Sequence, residues 1–135
     1  MALQYSTTVR NAKLDAVETA IGTSAVLKIR TGSAPANCAT ADSGTVLATC
    51  NLPSDWMAAA SSGSKAKSGT WEDTNADATG TAAHFRIYAS DGTTCHMQGT
   101  VTATGGGGDL TVESTSFTAG QGFTVTGFTL ADNNG

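Results

Sequence analysis

Two alternating segments separated by a turn constrain the fold of this chain more than any other feature. Apolar or small residues alternate with polar ones over 84–89 and again over 95–103, which is the period of a half-buried β-strand. The segment between them, Ser-Asp-Gly-Thr-Thr at 90–94, is typical of a hairpin connection. Because residues that oppose each other share a face, the pattern predicts Ile87 opposite Met97, and therefore a connection with an odd number of residues.

The same register places the two histidines of the chain. It predicts His84 opposite Thr100 and His96 opposite Tyr88. The histidines would then lie four residues apart along the strand, roughly 13 Å at 3.3 Å per residue. We therefore expect no shared metal ion, and Gly92 is expected in the left-handed conformation of a hairpin loop.

Four more segments have strand patterns, at 25–30, 45–52, 110–113 and 123–130. In the last of these the apolar parity changes at Gly127, which indicates a β-bulge. Short strands separated by Gly- and Ser-rich turns indicate a mainly β fold, namely a single antiparallel β-sandwich or barrel-like domain over residues 1–135, with strands within 25–131. Between these strands, 32–44 is a loop by composition, 53–57 could form one helical turn, and 58–69 is too rich in small side chains to fix its own structure.

One segment, 6–21, has helical periodicity and precedes the strands. Its apolar residues recur at spacings of three and four: Val9, Ala12, Ala16, Val17, Ala20 and Ile21. Ser6, Thr7 or Thr8 can cap its start and Gly22 its end. The charges oppose the helix dipole, since basic Arg10 and Lys13 lie near the start and the acidic residues lie near the end. We therefore expect this helix to depend on packing, against its own sheet or a neighbouring subunit.

Charge and composition exclude several classes of function. Charged residues make up 13% of the chain, against about 25% for an average domain. A net charge of −4 and a pI near 4.8 argue against a nucleic-acid partner. No apolar run approaches the ~18 residues of a membrane span, and the first residues lack the pattern of a signal peptide. The expectation is a protein made in the cytoplasm, with no membrane partner.

The three cysteines, Cys38, Cys50 and Cys95, have no CxxC or CxxH spacing, which argues against a zinc site. Buried free thiols are the simplest interpretation. The alternative is one disulfide and one spare thiol, and for this we favour Cys38 with Cys95, because Cys38 lies in a loop that is free to approach and Cys95 lies near a hairpin end.

No residue set for catalysis, a cofactor or a metal is evident. The glycine run at 105–108 lacks the Gly-Lys-Ser/Thr of a phosphate loop, and no serine stands in a Gly-x-Ser-x-Gly elbow. Trp56 and Trp71 could stack on a sugar, although two tryptophans in a small β domain are more often core or interface residues. We therefore expect a protein that is not an enzyme.

Five segments resemble a family of small virion structural proteins of tailed bacteriophages, of the head decoration or cement type. They are 5–22, 27–38, 52–57 (Leu-Pro-Ser-Asp-Trp-Met), 83–88 (Ala-His-Phe-Arg-Ile-Tyr) and 94–101 (Thr-Cys-His-Met-Gln-Gly-Thr-Val). The resemblance extends from about residue 4 to residue 131. It implies a location in the virion and a role in coating or cementing the head, and it contains no catalytic motif.

The expected function is therefore a capsid decoration protein that binds the major capsid protein on the outer head surface. We expect it to form a homo-oligomer, with a trimer as the form suited to a symmetry axis. The alternatives are a tail- or fibre-associated glycan- or receptor-binding module using Trp56, Trp71 or Tyr88, and a neck or tail-completion protein. The function requires contact surface rather than catalytic chemistry.

The candidate contact regions are the segment 1–10, the loop 53–69 and the glycine tip at 105–108. The candidate contact residues within them are Leu3, Tyr5, Arg10, Trp56 and Met57. We expect 1–10 to be a poorly ordered arm in the free protein that orders on the particle, because chain ends outside a sheet are usually mobile.

Overall fold

The structure, a computed structural model, describes residues 3–132. Within these residues there are one helix, α1 (Thr7–Ile21), and ten strands. The strands are β1 (Val26–Arg30), β2 (Val46–Asn51), β3 (Ser64–Ala66), β4 (Glu72–Asp73), β5 (Gly80–Thr81), β6 (His84–Tyr88), β7 (Cys95–Ala103), β8 (Leu110–Val112), β9 (Ser116–Phe117) and β10 (Phe123–Ala131). The mainly β class with one helix before the strands is confirmed.

Eight strands form one strongly curled sheet that resembles half of a barrel. The strand order is β2-β1-β6-β7-β8-β10-β3, and β4 pairs with the start of β10. Strands β5 and β9 form a separate two-stranded sheet. The ladders are antiparallel except for β7 and β8, which are parallel, so the expectation of a wholly antiparallel sheet is wrong at this one pair.

The glycine run explains the parallel pair. After β7 the chain folds back along the strand that it has just left, and Gly108 N donates to Thr102 Oγ1 at 2.9 Å. A Cβ atom at Gly108 would lie 2.9 Å from the backbone nitrogen of Thr102, so this return needs glycine. The segment expected to be a flexible tip is therefore an exposed return, held at Gly108, that restarts the chain parallel to β7.

The predicted hairpin register is correct for most of its length. Ile87 pairs with Met97 and His84 with Thr100. A bulge after Ile87 makes Tyr88 pair with Cys95, so the predicted pairing of Tyr88 with His96 is wrong. Gly92 has φ 69°, as the loop chemistry requires. The bulge predicted at Gly127 is also present, as a register shift between Val125 and Gly127.

The hydrophobic core lies inside the curl of the sheet and includes both tryptophans. The Trp56 and Trp71 ring centroids lie 5.9 Å apart, and Trp71 contacts Phe128 at 5.2 Å. Each indole N–H has a carbonyl acceptor, Gly22 O for Trp56 and Ser68 O for Trp71. Such satisfied, fully buried aromatic residues contribute much of the stability of a small domain.

The segment 53–69 differs from its prediction. Residues 54–55 form a turn, and no helical turn forms at 53–57. Residues 58–69 are not structureless, because they contain β3, which pairs with β10 from Thr129 to Ala131. The reason is a long-range ion pair at Lys65, described below, which composition alone does not show.

Candidate contact surface

The helix α1 is attached to the sheet through its charged side. Lys65 of β3 has a side chain only 1% exposed, and its Nζ lies 2.7 Å from Asp15 Oδ1 and 3.0 Å from Glu18 Oε1. Burial alone would lower the pKa of Lys65, but the hydrogen bonds to Asp15 and Glu18 raise it above its usual value. The pKa of Asp15 is lowered by its bond to Lys65 and by the Ala60 amide.

Further polar contacts fix the helix along its length. Glu18 accepts a hydrogen bond from the Met57 amide at 3.3 Å, and Asn11 accepts one from the Gly63 amide at 2.9 Å. Near the helix start, Arg10 Nε donates to Asp132 O at 2.8 Å. The helix therefore has several directional bonds to the body of the domain, and these oppose its rotation about its own axis.

The charges that oppose the helix dipole therefore have partners within the chain. Lys13 Nζ lies 2.8 Å from the Asp132 carboxylate, and the acidic residues of the last turns bind Lys65. The sequence predicted dependence on packing, and the packing is with the protein's own sheet. The acidic partner of the basic first turns is Asp132, at the end of β10.

Beside its half-exposed charges Lys13 and Asp15, the helix presents small apolar residues to solvent. We define the outward face as the exposed residues Val9, Ala12, Ala16 and Ala20. They recur at spacings of three and four and so form one stripe along the helix. Leu14 and Ile21 are buried on the opposite side. Val17 also packs against the core, so the helix has apolar residues on two sides, and the outward face is the side that nothing in the described chain covers.

The outward face continues into the segment before the helix. Within the described residues, the large hydrophobic side chains that stay exposed are Leu3 at 76%, Tyr5 at 43% and Val9 at 41%. Lys13 Nζ lies 4.4 Å from the centroid of the Tyr5 ring. Exposed apolar residues that occur together, and not scattered singly, mark an interaction surface.

The structure separates the five predicted contact residues. Leu3 and Tyr5 are at the surface, as a contact role requires. Trp56 and Met57 are 0% and 1% exposed, so their assignment to a contact loop is corrected: the Trp56 ring packs in the core, and the Met57 amide binds the helix. Arg10 is occupied within the chain, since its guanidinium covers Gly63 as well as binding Asp132 O.

The predicted arm is shorter than 1–10. Residues from Thr7 onward are helical, with Ser6 as the N-cap whose side chain accepts from Val9 N. The part of the arm that remains is the pre-helix segment, which we define as residues 3–6. Residues 1 and 2 lie outside the described residues.

A second polar cluster lies beneath the loop 32–44, on the outer face of β6. Asp42 accepts from Arg86 Nη1 and Tyr88 Oη, both at 2.8 Å, and from Arg30 Nη2 at 3.0 Å. Burial would raise the pKa of Asp42, but the bonds from Tyr88 and Arg86 lower it. Burial and the bond to Asp42 raise the pKa of Tyr88 to about 12. The cluster anchors the loop to the sheet.

Sequence reasoning missed this cluster, although a signal was present. Arg30 and Arg86 stand at the polar positions of two strands, where the alternation predicts exposure. Both are buried in the structure, where Arg30 is 6% exposed and Arg86 is 2% exposed. Strand periodicity cannot predict that the two arginines bind one carboxylate, because Asp42 lies in a loop that has no sequence pattern.

The cysteines are free thiols in this structure. Cys95 Sγ donates to Met97 O at 3.5 Å, and burial together with the nearby Cys38 thiol raises the pKa of Cys95 to about 11. Burial raises the pKa of Cys50 to about 11. The favoured pair is therefore near enough to interact, without a bond between the sulfur atoms.

The aromatic residues proposed for sugar stacking are all buried. Trp56, Trp71 and Tyr88 are each 0% exposed, so none offers a ring face to a glycan. Among residues 3–132, no group of three or more His, Cys, Asp or Glu side chains could hold a metal ion. No helix in this part of the chain is long and apolar enough to span a membrane.

Comparisons of the chain with protein-family models, with curated proteins and with solved structures found no match.

Proposed function

We propose that this protein is a non-enzymatic virion structural protein of a tailed phage that decorates the outer surface of the head. It binds the major capsid protein in many copies, through the outward face of α1. Two lines of argument support the proposal. The sequence segments named above resemble such proteins, and the helix presents an apolar stripe held rigidly in place by buried charge.

The second apolar side of α1 is the observation that carries the proposal. A helix that served only to cover the sheet needs one apolar side, and Leu14 and Ile21 already supply it. Val9 and the alanines form a further apolar stripe that is exposed, and the bonds of Asp15 and Glu18 to the buried Lys65 hold it in this orientation. The arrangement exposes an apolar face, and exposure of this kind is explained by a partner that covers it.

The chemistry of the outward face suits docking on a protein surface. The stripe itself contains no charged side chain, so docking does not require the removal of water from an ion. Small side chains such as those of Ala12 and Ala16 let a partner's backbone approach closely. Because the face is already fixed by hydrogen bonds, little ordering entropy is lost on binding.

The two alternatives make different demands on the structure. A glycan-binding module needs exposed aromatic faces, and the three rings proposed for that role are buried. A neck or tail-completion protein could use the same helix face as a decoration protein. The copy number in purified particles separates the last two, because hundreds of copies indicate a coat and a dozen or fewer indicate the neck or tail.

The proposal is tested by binding to capsids from which this protein has been stripped. We expect Ala16→Asp, which places a charge in the middle of the outward face, to weaken binding by about tenfold or more. Ala119→Asp is the matched control, because Ala119 is exposed in a turn outside α1. Equal binding of both variants and of the unmodified protein would rule out the outward face as the capsid contact.

A further inference from the structure

The curled sheet contains an empty position that is one strand wide. β8 starts at Leu110, which pairs with Val101 of β7 and with Phe128 of β10. Beyond Leu110 the chain turns away at Asp109, while both neighbours continue in the same direction, β7 back to Cys95 and β10 on to Ala131. We call this unfilled continuation of β8 the slot.

The slot has the dimensions of a strand. Strands that flank a third strand lie about 10 Å apart, which is the width that the third strand fills. The slot has a volume of about 290 Å³. Its lining residues come from both flanking strands, from the floor beneath them and from the turn before β8: Phe85, Met97, Gln98, Asp109, Phe128, Thr129, Leu130 and Ala131.

On the β7 side, the backbone groups of the slot edge point into it. Val101 N donates to Ala83 O on the β6 side at 3.0 Å. Because backbone N–H groups of successive strand residues point to opposite sides, the N–H groups of the residues on either side of Val101 point away from β6. Thr100 N–H is one of these, and it donates to Asp109 Oδ2 at 2.9 Å. Gln98 is the next residue with this direction, and in the described chain β7 pairs with β8 only from Val101 onward.

On the β10 side the same argument holds. Lys67 N donates to Phe128 O, and Asp132 N donates to Gly63 O, both at 2.9 Å. Residues 128 and 132 therefore face β3, and Thr129 and Ala131 face the other side. The Thr129 N–H is in register with Asp109, just before β8, so Ala131 is the residue of β10 whose N–H faces the slot beyond β8. Backbone N–H and C=O groups of β7 and β10 thus point toward each other across the slot. This geometry is suited to binding an extended peptide.

The floor of the slot is apolar. Phe85 and Phe128 meet edge to face at 5.7 Å, and Met97 and Leu130 pack against the same core while remaining partly exposed. A strand in the slot would place alternate side chains on this floor. The slot therefore selects a segment with two apolar residues separated by one polar residue.

The pre-helix segment of this chain has that pattern. Leu3 and Tyr5 alternate with Gln4 and Ser6, and none of the four is charged. The segment is neither helix nor strand, and Ser6 has an extended backbone with φ −65° and ψ 160°. Leu3 is 76% exposed, so its side chain is not part of the core of its own copy.

We propose that the slot binds the pre-helix segment of a second copy of this chain as an added strand. The placement of α1 favours a second copy as the source of the segment. Arg10 binds Asp132 O and Asp132 faces β3, so the segment leaves the helix near the end of β10, on the side away from the slot of its own copy. Copies that meet at this region exchange segments over a distance that four extended residues span, about 13 Å.

This exchange assigns Leu3 and Tyr5 to contacts between copies and leaves the outward face of α1 for the capsid. It does not depend on the capsid proposal, because it is measured in the free protein. Failure of the exchange leaves the proposed function standing, and failure of capsid binding leaves the exchange standing.

The test is self-association of the full chain, measured by sedimentation equilibrium. We expect the unmodified protein to form a closed oligomer and Leu3→Asp to raise its dissociation constant about tenfold or more. Ala119→Asp is the control, since Ala119 is exposed in a turn and does not line the slot, and it is expected to leave self-association unchanged. Ala131→Pro removes a slot-facing N–H without removing a bond to β3, and it should weaken association as well.

Mixing separates the donor from the acceptor. Leu3→Asp retains an intact slot and Ala131→Pro retains an intact segment, so the two variants together should form a mixed complex that neither forms alone. If Ala131→Pro does not fold, Leu130→Asp replaces it by placing a charge on the floor. In the unmodified protein, the amides of Gln98 and Ala131 should exchange hydrogen more slowly as concentration rises.

Three results would overturn the proposal. The first is a protein that stays monomeric across the concentration range. The second is slow exchange of the Gln98 and Ala131 amides at every concentration in a monomer, which shows that the segment fills its own slot. The third is protection of these amides only by capsids, which makes the capsid protein the occupant.

Discussion

The Lys65 ammonium lies 2.7 Å from the Asp15 carboxylate, and it is buried while Asp15 is half exposed. A buried lysine requires anionic partners, because burial removes the hydration of the ammonium and an unpaired buried charge is strongly destabilising. The contact joins α1 to β3, and β3 in turn pairs with β10. One ion pair therefore determines which side of the helix faces the sheet and which side faces solvent.

The first prediction concerns this contact. Lys65→Met keeps roughly the length of the side chain but removes the ammonium that binds Asp15, Glu18 and Ala58 O. We expect the free energy of unfolding to fall by about 1–3 kcal/mol in urea titrations. Lys67→Met is the control, because Lys67 is less buried and binds only Gly69 O and the Trp71 ring face. A loss of similar size in both variants would show that the Lys65 contacts do not hold the helix.

The second prediction concerns acid. The pKa values of Asp15 and Asp42 are lowered in the folded protein, so the unfolded chain binds protons first as the pH falls. The stability from these carboxylates is complete above the unfolded value of about 3.9 and is lost as the pH falls through the folded values. Denaturation at a series of pH values below about 5 should show this loss, and Asp42→Asn should make the dependence shallower. An unchanged slope in Asp42→Asn would contradict the role of Asp42 as an ionised anchor.

The third prediction concerns the cysteines. Because the Cys38 and Cys95 thiols are near enough to influence each other's ionisation, oxidised glutathione should convert these two thiols to a disulfide, with the glutathione reduced in exchange. Titration of thiols in the denatured protein should then find one of the three remaining, and peptide mapping should identify it as Cys50. Cys38→Ser should prevent the intramolecular bond. A disulfide that includes Cys50 would contradict the arrangement of the loop 32–44.

The fourth prediction concerns the pre-helix segment. Removal of residues 1–5 takes away Leu3 and Tyr5, which are exposed in the free chain. At a concentration where the protein is monomeric, the melting temperature should therefore stay within about 2 °C. Binding to particles should weaken about fivefold or more, because neighbouring copies lose their link. A large fall in the melting temperature with particle binding intact would place these side chains in the core.

Local patterns predicted the elements of this fold well, since each depends on neighbours in sequence. Alternation placed Ile87 opposite Met97, and the change of parity located the bulge at Gly127. The parallel β8 was missed, because Gly105–Gly108 has the composition of any flexible turn. Its path is set by contacts with Thr102 that form only in the folded chain.

The contact surface was predicted only in part, for a related reason. The exposure of Leu3 and Tyr5 follows from their position before a capped helix. The burial of Trp56 follows from long-range packing against Trp71, which no local pattern encodes. The direction of α1 also depends on Lys65, about fifty residues away from Asp15. The predicted stripe is therefore divided, because Val17 and Ile21 face the core and its other members face solvent.

The central claim is that the outward face of α1 cements the capsid, and one measurement tests it most directly. Particles stripped of this protein are reconstituted with the unmodified chain or with Ala16→Asp, and the temperature at which DNA escapes is recorded. We predict that the unmodified chain and Ala119→Asp both raise this temperature above that of stripped particles, and that Ala16→Asp does not. An escape temperature that is the same with and without the unmodified protein would contradict the claim.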